Sequence, residues 1–198
     1  MPTGIRRSSI ILASSSPRRR AFLKQLGLRF RIVVPDTDER PRPNEQPVAF
    51  ARRAARDKAH AVAQRVGDRP IIIAADTIVV LGRTILGKPR NAADARRMLN
   101  LLSSRTHEVM TGVCVRCGGR EQSLVARTRV EFKKLTRQEI DFYVNSGEPM
   151  DKAGAYAIQG IGSFLVRAIR GSYTNVVGLP DAELLDVLER DFGMKVPL

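Results

Sequence analysis

The sequence predicts an α/β protein built on a mixed, twisted sheet with flanking helices. Short apolar runs at Ser9–Ala13 and Ile71–Leu81 have the length and β-branched content of buried strands. Stretches of helical periodicity with capping residues at their starts separate them. Glu108–Cys117 and Glu121–Phe132 read as a hairpin around Gly118-Gly119, which breaks any strict βαβ alternation and makes the sheet mixed.

The elements follow in order. After the first strand, Ser16 is a helix N-cap and Pro17 the first helical residue. Phe22, Leu23 and Leu26 form the apolar stripe, and Gly27 ends the helix. Arg31–Val34 reads as a second strand. Pro35–Pro47 is a polar, proline-rich loop of the kind that carries function. Val48–Val66 is a long amphipathic helix. Ile71–Leu81 is a long strand expected to be interrupted at Asp76-Thr77, and Gly82-Arg83 suits a type II′ turn after it. Asn91 caps a helix with Met98, Leu99, Leu101 and Leu102 on its apolar side. Thr136 and Glu139 form a capping box for a helix ending near Gly147. Glu148–Gly162 and Gly171–Pro180 read as Gly-bearing loops around a strand at Phe164–Ile169, and Asp181–Phe192 is the final helix.

Composition bounds the function. A chain of 198 residues, 43% hydrophobic and 27% charged, is globular and fits a single domain over 1–198. No apolar run is long enough to span a membrane, and Ile10–Ala13 is too short for a signal-peptide core, so the expectation is a cytoplasmic protein without membrane contact. The net charge of +14 makes a polyanion the expected partner: nucleotide, nucleic acid or an acidic surface. No aromatic interleaving of the base-stacking kind accompanies the charge, and Arg52, Arg53, Arg56, Arg96 and Arg97 fit solvated helix faces. Cys114 and Cys117 lie on a predicted strand, where their odd spacing sends them to opposite faces. They read as ordinary reduced cysteines, not a zinc or redox pair.

Four constellations carry chemistry. Ser14-Ser15-Ser16-Pro17-Arg18-Arg19-Arg20 joins a strand to a helix start, where free N–H groups, hydroxyls and guanidinium groups suit a phosphate. It lacks the P-loop pattern. Asp76 is a carboxylate inside an apolar strand, costly unless paired, hydrogen-bonded or bound to a metal. Asp38-Glu39, Lys58 and Lys88 are scattered charges that gain meaning only in a common cleft. Asp151–Gly160 and Gly171–Pro180 are rich in glycine and hydrogen-bonding side chains, and Gln159 can offer an acceptor and donors to a pyrimidine edge.

Taken together, these segments resemble the Maf family of nucleoside triphosphate pyrophosphatases, also called septum formation inhibitor proteins. The likeness runs from Ile10 to about Phe192. It is carried by Ser14–Arg19, Ala75-Asp76-Thr77, Leu86–Pro89, Thr106–Val109, Gly147–Pro149 with Asp151–Gly160, and Gly171–Pro180. The resemblance implies two lobes around a deep cleft, akin to inosine triphosphate pyrophosphatases. It implies cleavage of an NTP to the monophosphate and pyrophosphate with a divalent cation, Mg²⁺ or Mn²⁺. It maps the family's general base onto Asp76, its acidic metal-site residue onto Glu39, its essential lysines onto Lys58 and Lys88, and its phosphate-binding positions onto Ser14, Ser16, Arg18 and Arg19.

One branch of the family prefers dTTP and UTP, another methylated GTP. Arg18, Thr77 and Gln159 match the first branch, and the tryptophan of the second is absent. The expectation is therefore a dTTP/UTP pyrophosphatase. The same reaction on another base is the nearest alternative, and a basic nucleic-acid-binding division regulator is the alternative of another class. Nucleic acid stands as a secondary partner, and a homodimer stays open.

Overall fold

The computed structural model describes residues 9–196. A seven-stranded mixed sheet has the order β2-β1-β3-β5-β6-β7, with β4 paired to β3. Its strands are β1 (Ile10–Ala13), β2 (Phe30–Ile32), β3 (Ile71–Leu81), β4 (Thr84–Leu86), β5 (Thr106–Cys117), β6 (Arg120–Phe132) and β7 (Val166–Arg170). The helices are α1 (Pro17–Gln25), α2 (Pro47–Val66), α3 (Ala92–Leu102), α4 (Arg137–Asn145), α5 (Tyr173–Val177) and α6 (Asp181–Phe192). β1 runs parallel to β2 and β3, and the remaining pairs are antiparallel.

Strand alternation sorts β3 between two layers. Ile72 and Ala74 pack with Ala55, Ala59 and Val62 of α2, and Ile78 and Val80 with Phe50, Ala51 and Ala54 of the same helix. Ile71, Ile73 and Ala75 face Leu23 of α1 and Leu184, Val187 and Leu188 of α6. Val79 belongs to a third core, with α3, α4 and Tyr156. Asp76 lies on the α2-facing side of the strand, between the two patches that pack on α2, and Thr77 lies on the other side, between the α1–α6 core and the α3–α4 core.

Small residues set how closely α2 lies on the sheet. Gly112 of β5 stands opposite Asp76 in the register, and a Cβ there would come within 2.0 Å of the Ala51 carbonyl oxygen. The helix backbone thus rests on the strand itself. Lys58 is seven residues on from Ala51, two turns along the same buried face.

β3 is continuous, where an interruption at Asp76-Thr77 was expected: Asp76 pairs with Gly112 and Thr77 with Thr111. Both polar side chains leave the sheet plane, so neither disturbs the ladder. On its other edge β3 is bare in the middle. β1 covers Ile71–Ala74 and β4 covers Val79–Leu81, leaving Ala75–Ile78 without a strand partner.

Several local signals hold. Ser16 and Asn91 cap α1 and α3, and the Thr136–Glu139 capping box forms. Gly82 takes φ +62 in the two-residue turn between Leu81 and Thr84. Cys114 lies in the α2-facing core and Cys117 against the opposite one, both free, and burial pushes the Cys114 thiol up to about 12. The second strand is Phe30–Ile32 instead of Arg31–Val34, although Val33 still donates to the Leu12 carbonyl at 3.1 Å. The Gly171–Pro180 loop contains α5, a single turn capped by Ser172 and too short to show periodicity.

Gly112→Ala drives a methyl into helix backbone, which cannot swing away as a side chain can. The expected loss is about 3 kcal/mol, or roughly 6–12 °C in Tm for a chain of this size. A Tm shift of less than about half the low end of that range would show that α2 does not rest on the strand.

Candidate functional site

A cleft of about 600 Å³ opens where β1 ends and β3 continues alone. Ligands in open parallel-strand sheets lie off the carboxyl ends of strands, and the β1–α1 turn supplies one wall here. All ten residues singled out from the sequence line this one cleft: Ser14, Ser16, Arg18, Arg19, Glu39, Lys58, Asp76, Thr77, Lys88 and Gln159.

At its floor two carboxylates share one ammonium. Lys58 Nζ lies 2.5 Å from Asp76 Oδ1 and 2.7 Å from Glu39 Oε1, and Lys88 Nζ lies 3.9 Å from Glu39 Oε2. Lys58 and Asp76 are only 6% and 7% exposed, so each needs the other's charge. Burial pushes the Glu39 carboxyl up, but the hydrogen bond and charge of Lys58, with Lys88 and Arg19 beyond, outweigh it and hold the group below its ordinary range. Asp76 Oδ2 and Glu39 Oε2 accept no hydrogen bond from the described residues.

Glu39 sits on the 33–46 loop, which Arg53 of α2 straps down. The Arg53 guanidinium binds Glu45 at 2.7 Å, Asp57 at 2.9 Å and the Arg40 carbonyl at 3.0 Å. Hydrogen bonding to Arg53 holds the Glu45 carboxyl at about 2. Arg53 is thus a structural clamp, not the solvated charge expected. Arg56, Arg96 and Arg97 likewise pair with Glu121, Asp141 and Asp94.

Arg19 differs from the expected phosphate ligand. Its Nε donates to Gly178 O at 2.8 Å, Nη1 to Ala75 O at 2.9 Å and Ser14 Oγ at 3.1 Å, and Nη2 to Thr77 Oγ1 at 3.0 Å. Four of its five donors are committed to protein, leaving one N–H for a ligand. Desolvation lowers its pKa, opposed by the Asp76 charge.

Thr77 is similarly engaged. Thr111 donates its hydroxyl to Asn175 O at 3.1 Å, so at the 2.9 Å contact Thr77 is the donor and Thr111 the acceptor. Arg18 gives only its Nε to the chain, to Val177 O at 3.2 Å, and its guanidinium faces the cleft. Ser14 and Ser16 present hydroxyls beside the α1 N-terminus, where Ser14 Oγ accepts from Ser16 N and Ser16 Oγ caps Arg19 N. Gln159 is exposed to the cleft, and its side chain makes no hydrogen bond with the described residues.

The family of Maf-like proteins matches residues 9–191. The chain belongs to the Maf family. A protein named dTTP/UTP pyrophosphatase from Myxococcus xanthus (strain DK1622) is 52% identical over 188 residues, covering 95% of this chain and 94% of that one. Proteins of the same name from Anaeromyxobacter dehalogenans (strain 2CP-1) and Vibrio cholerae serotype O1 are 55% and 49% identical over 185 and 183 residues. They cover 91% and 92% of this chain and 93% and 98% of their own. Among solved structures, a dITP/XTP pyrophosphatase from Mycobacterium abscessus aligns at TM-score 0.46 and 16% identity over 96% of this chain and all of that one. A HAM1 protein from Coxiella burnetii aligns at TM-score 0.49 and 14% identity over 91% and 90%.

This Maf chain also has supports that no single segment announced. Asn175, fully buried, donates to Val109 O at 3.1 Å and Thr128 Oγ1 at 2.9 Å, pinning the 171–180 segment to β5 and β6. Thr111 and Thr128 were detectable as polar residues at inward positions of apolar strands. His107 is buried, touches Tyr156 OH at 2.8 Å through Nε2 and packs edge-on against Phe132. It belongs to the core beside the cleft. Among the described residues, no helix is long and apolar enough to cross a membrane.

Two outcomes follow from this geometry. Lys58→Met leaves two carboxylates facing each other and should cost about 3 kcal/mol, the low end for a broken buried pair because the cleft admits water. Adding Asp76→Asn should restore most of that loss in a denaturant-melt double-mutant cycle, and strict additivity would refute the coupling. For His107, burial lowers the pKa from 6.5 to about 4. Between those values the unfolded chain binds a proton that the native state does not. Stability therefore falls as pH drops through the window, by about 3 kcal/mol in full. A His107→Gln chain should show a flatter stability profile from pH 6.5 to pH 4, and an unchanged slope would contradict the assignment.

Proposed function

We propose that this chain hydrolyses dTTP and UTP to the nucleoside monophosphate and pyrophosphate. The observation that carries the reading is the Lys58–Asp76–Glu39 cluster on the floor of a cation-lined cleft. It occurs in a chain about half identical to proteins named dTTP/UTP pyrophosphatase.

Arg18, Lys58 and Lys88 supply the positive charge for the triphosphate, Ser14 and Ser16 with the α1 N-terminus add donors, and Arg19 adds its one remaining N–H and its field. Asp76 Oδ2 is the acceptor for a proton from water in the cleft. The water oxygen bonds to the α-phosphorus, the bond from that phosphorus to the bridging oxygen breaks, and pyrophosphate leaves with the electron pair. Most of the rate gain comes from positioning and charge stabilisation.

The donor set fits a hard divalent cation. Among the described residues no group of three or more His, Cys, Asp or Glu side chains forms a dedicated cage. A pair of carboxylates completed by substrate phosphates is the way Mg²⁺ is usually held. Glu39 and Asp76 would hold Mg²⁺ or Mn²⁺, and when bound the ion would neutralise phosphate charge. Gln159, with donors and an acceptor free in the cleft, would read the pyrimidine edge.

The test is pyrophosphate release over a panel of dTTP, UTP, dCTP, dATP, dGTP and methylated GTP, with divalent metal and with chelator. Highest kcat/KM is expected for dTTP and UTP with metal present. Asp76→Asn should lower that value roughly 10²–10⁴-fold with the fold retained, the range for a general base. Asp76→Asn protein working at the parent rate would sink the mechanism, and highest turnover of methylated GTP would move the chain to another base.

A further inference from the structure

We propose that Glu148, which does not itself line the cleft, is the positioning residue that sets base selectivity by holding the Gln159 arch. The inference rests on the reading of Gln159 as the base-recognising side chain.

Gln159 makes no side-chain hydrogen bond with the described residues, so its direction is inherited from its backbone. That backbone is fixed at both ends by one unit, the half-buried Glu148 and the buried Tyr143. Glu148 Oε1 accepts from Gly162 N at 3.0 Å and from Tyr143 OH at 3.0 Å, and Glu148 Oε2 accepts from Ile161 N at 3.0 Å. The Tyr143 hydroxyl, having donated its proton to Glu148, accepts from Ala157 N at 3.0 Å. Residues 157 and 161–162 are thereby tied to a single carboxylate–phenol pair. Ile158 and Gln159 form the crest between them and line the cleft.

The anchor is itself rigid. Tyr143 is fully buried on α4 and stands edge-on to Phe164. The arch is drawn tight over the carboxylate at Gly160, where φ is +73 and a Cβ would lie 2.6 Å from Glu148 Oε2.

The chemistry demands a carboxylate. Three donors converge on two oxygens, and only an ionised acid offers acceptors on both. Glutamine has nearly the same shape but turns one oxygen into an NH₂ group. That group would face either the Ile161 N–H or the Tyr143 and Gly162 donors, so the arch must move. The three hydrogen bonds to the carboxylate are charge-assisted, which is why one residue can order six residues of irregular chain.

The experiment measures kcat and KM for dTTP and dCTP on the full chain and on Glu148→Gln, Tyr143→Phe, Gln159→Ala and the Glu148→Gln/Gln159→Ala double variant. The ratio of the two kcat/KM values is the readout, because partial unfolding lowers both substrates equally and cancels. Glu148→Gln should cut the dTTP:dCTP preference by about tenfold, the scale on which a misplaced polar contact costs discrimination. The loss should fall mainly in the KM for dTTP. Tyr143→Phe should move the ratio in the same direction by less, and the double variant should be no less selective than Gln159→Ala alone. If Gln159→Ala collapses the ratio while Glu148→Gln and Tyr143→Phe slow both substrates by one common factor, the positioning role is overturned and the base reading stands. If Gln159→Ala leaves the ratio intact, both fall together.

Discussion

β3 is paired along one edge by β5 but on the other only at its ends, by β1 and β4. Backbone groups in the bare stretch Ala75–Ile78 need partners, and a buried carbonyl left without one is costly. Arg19 supplies a partner, reaching from α1 to the Ala75 carbonyl while holding Ser14, Thr77 and Gly178 with its other donors. One guanidinium thus joins the β1–α1 turn, the middle of β3 and the end of α5. Removing it would free three elements at once. The gap it spans is also what gives the cleft a floor: a longer β1 would cover the stretch where Asp76 stands.

Charge in the cleft is unbalanced in a consistent direction. Arg18, Arg19, Lys58 and Lys88 face Glu39 and Asp76, so cations outnumber carboxylates there. Two features limit the cost of that surplus. Lys58 is shared between both acids at hydrogen-bond distance, and Lys88 is largely exposed, where water screens it. The acids do not quench the field; they fix the buried lysine and leave an oxygen each for a ligand. A site of this kind gains stability when a polyanion occupies it.

Much of this was legible in the sequence, for reasons that can be stated residue by residue. Asp76 was conspicuous because an acid in an apolar strand is expensive. The caps at Ser16, Asn91 and Thr136 were legible because a cap is a local event within three residues. The opposite placement of Cys114 and Cys117 followed from strand period alone. The rest depends on partners far away in the chain. Arg19 was read as a ligand for phosphate because its neighbours suggest one, but its acceptors include Gly178, 159 residues away. Arg53 was read as solvated because its helix position is polar; its true partner is the loop before α2, which has no periodicity to reveal a contact. Glu148 was visible only as part of the Gly147–Pro149 segment that resembles the family; its role was not, since an acid in a Gly-rich loop is ordinary until its three donors are seen to converge.

The two halves of the site are ordered by different means, and this has a consequence for how the molecule can vary. Asp76 and Lys58 are attached directly to β3 and α2, the elements that Gly112 brings into backbone contact. Any shift there is opposed by the whole sheet, because β3 and β5 share nine residue pairs across this region. Gln159 hangs instead on an arch whose shape is set by Glu148 and Tyr143, from a helix that packs mainly on α3 and meets β3 only in the core around Val79. No hydrogen bond among the described residues links the arch to the Lys58–Asp76 pair. On the proposed roles of Gln159 and Asp76, selectivity for the base can therefore drift without loss of the chemistry, whereas a change in the chemistry must pass through the sheet.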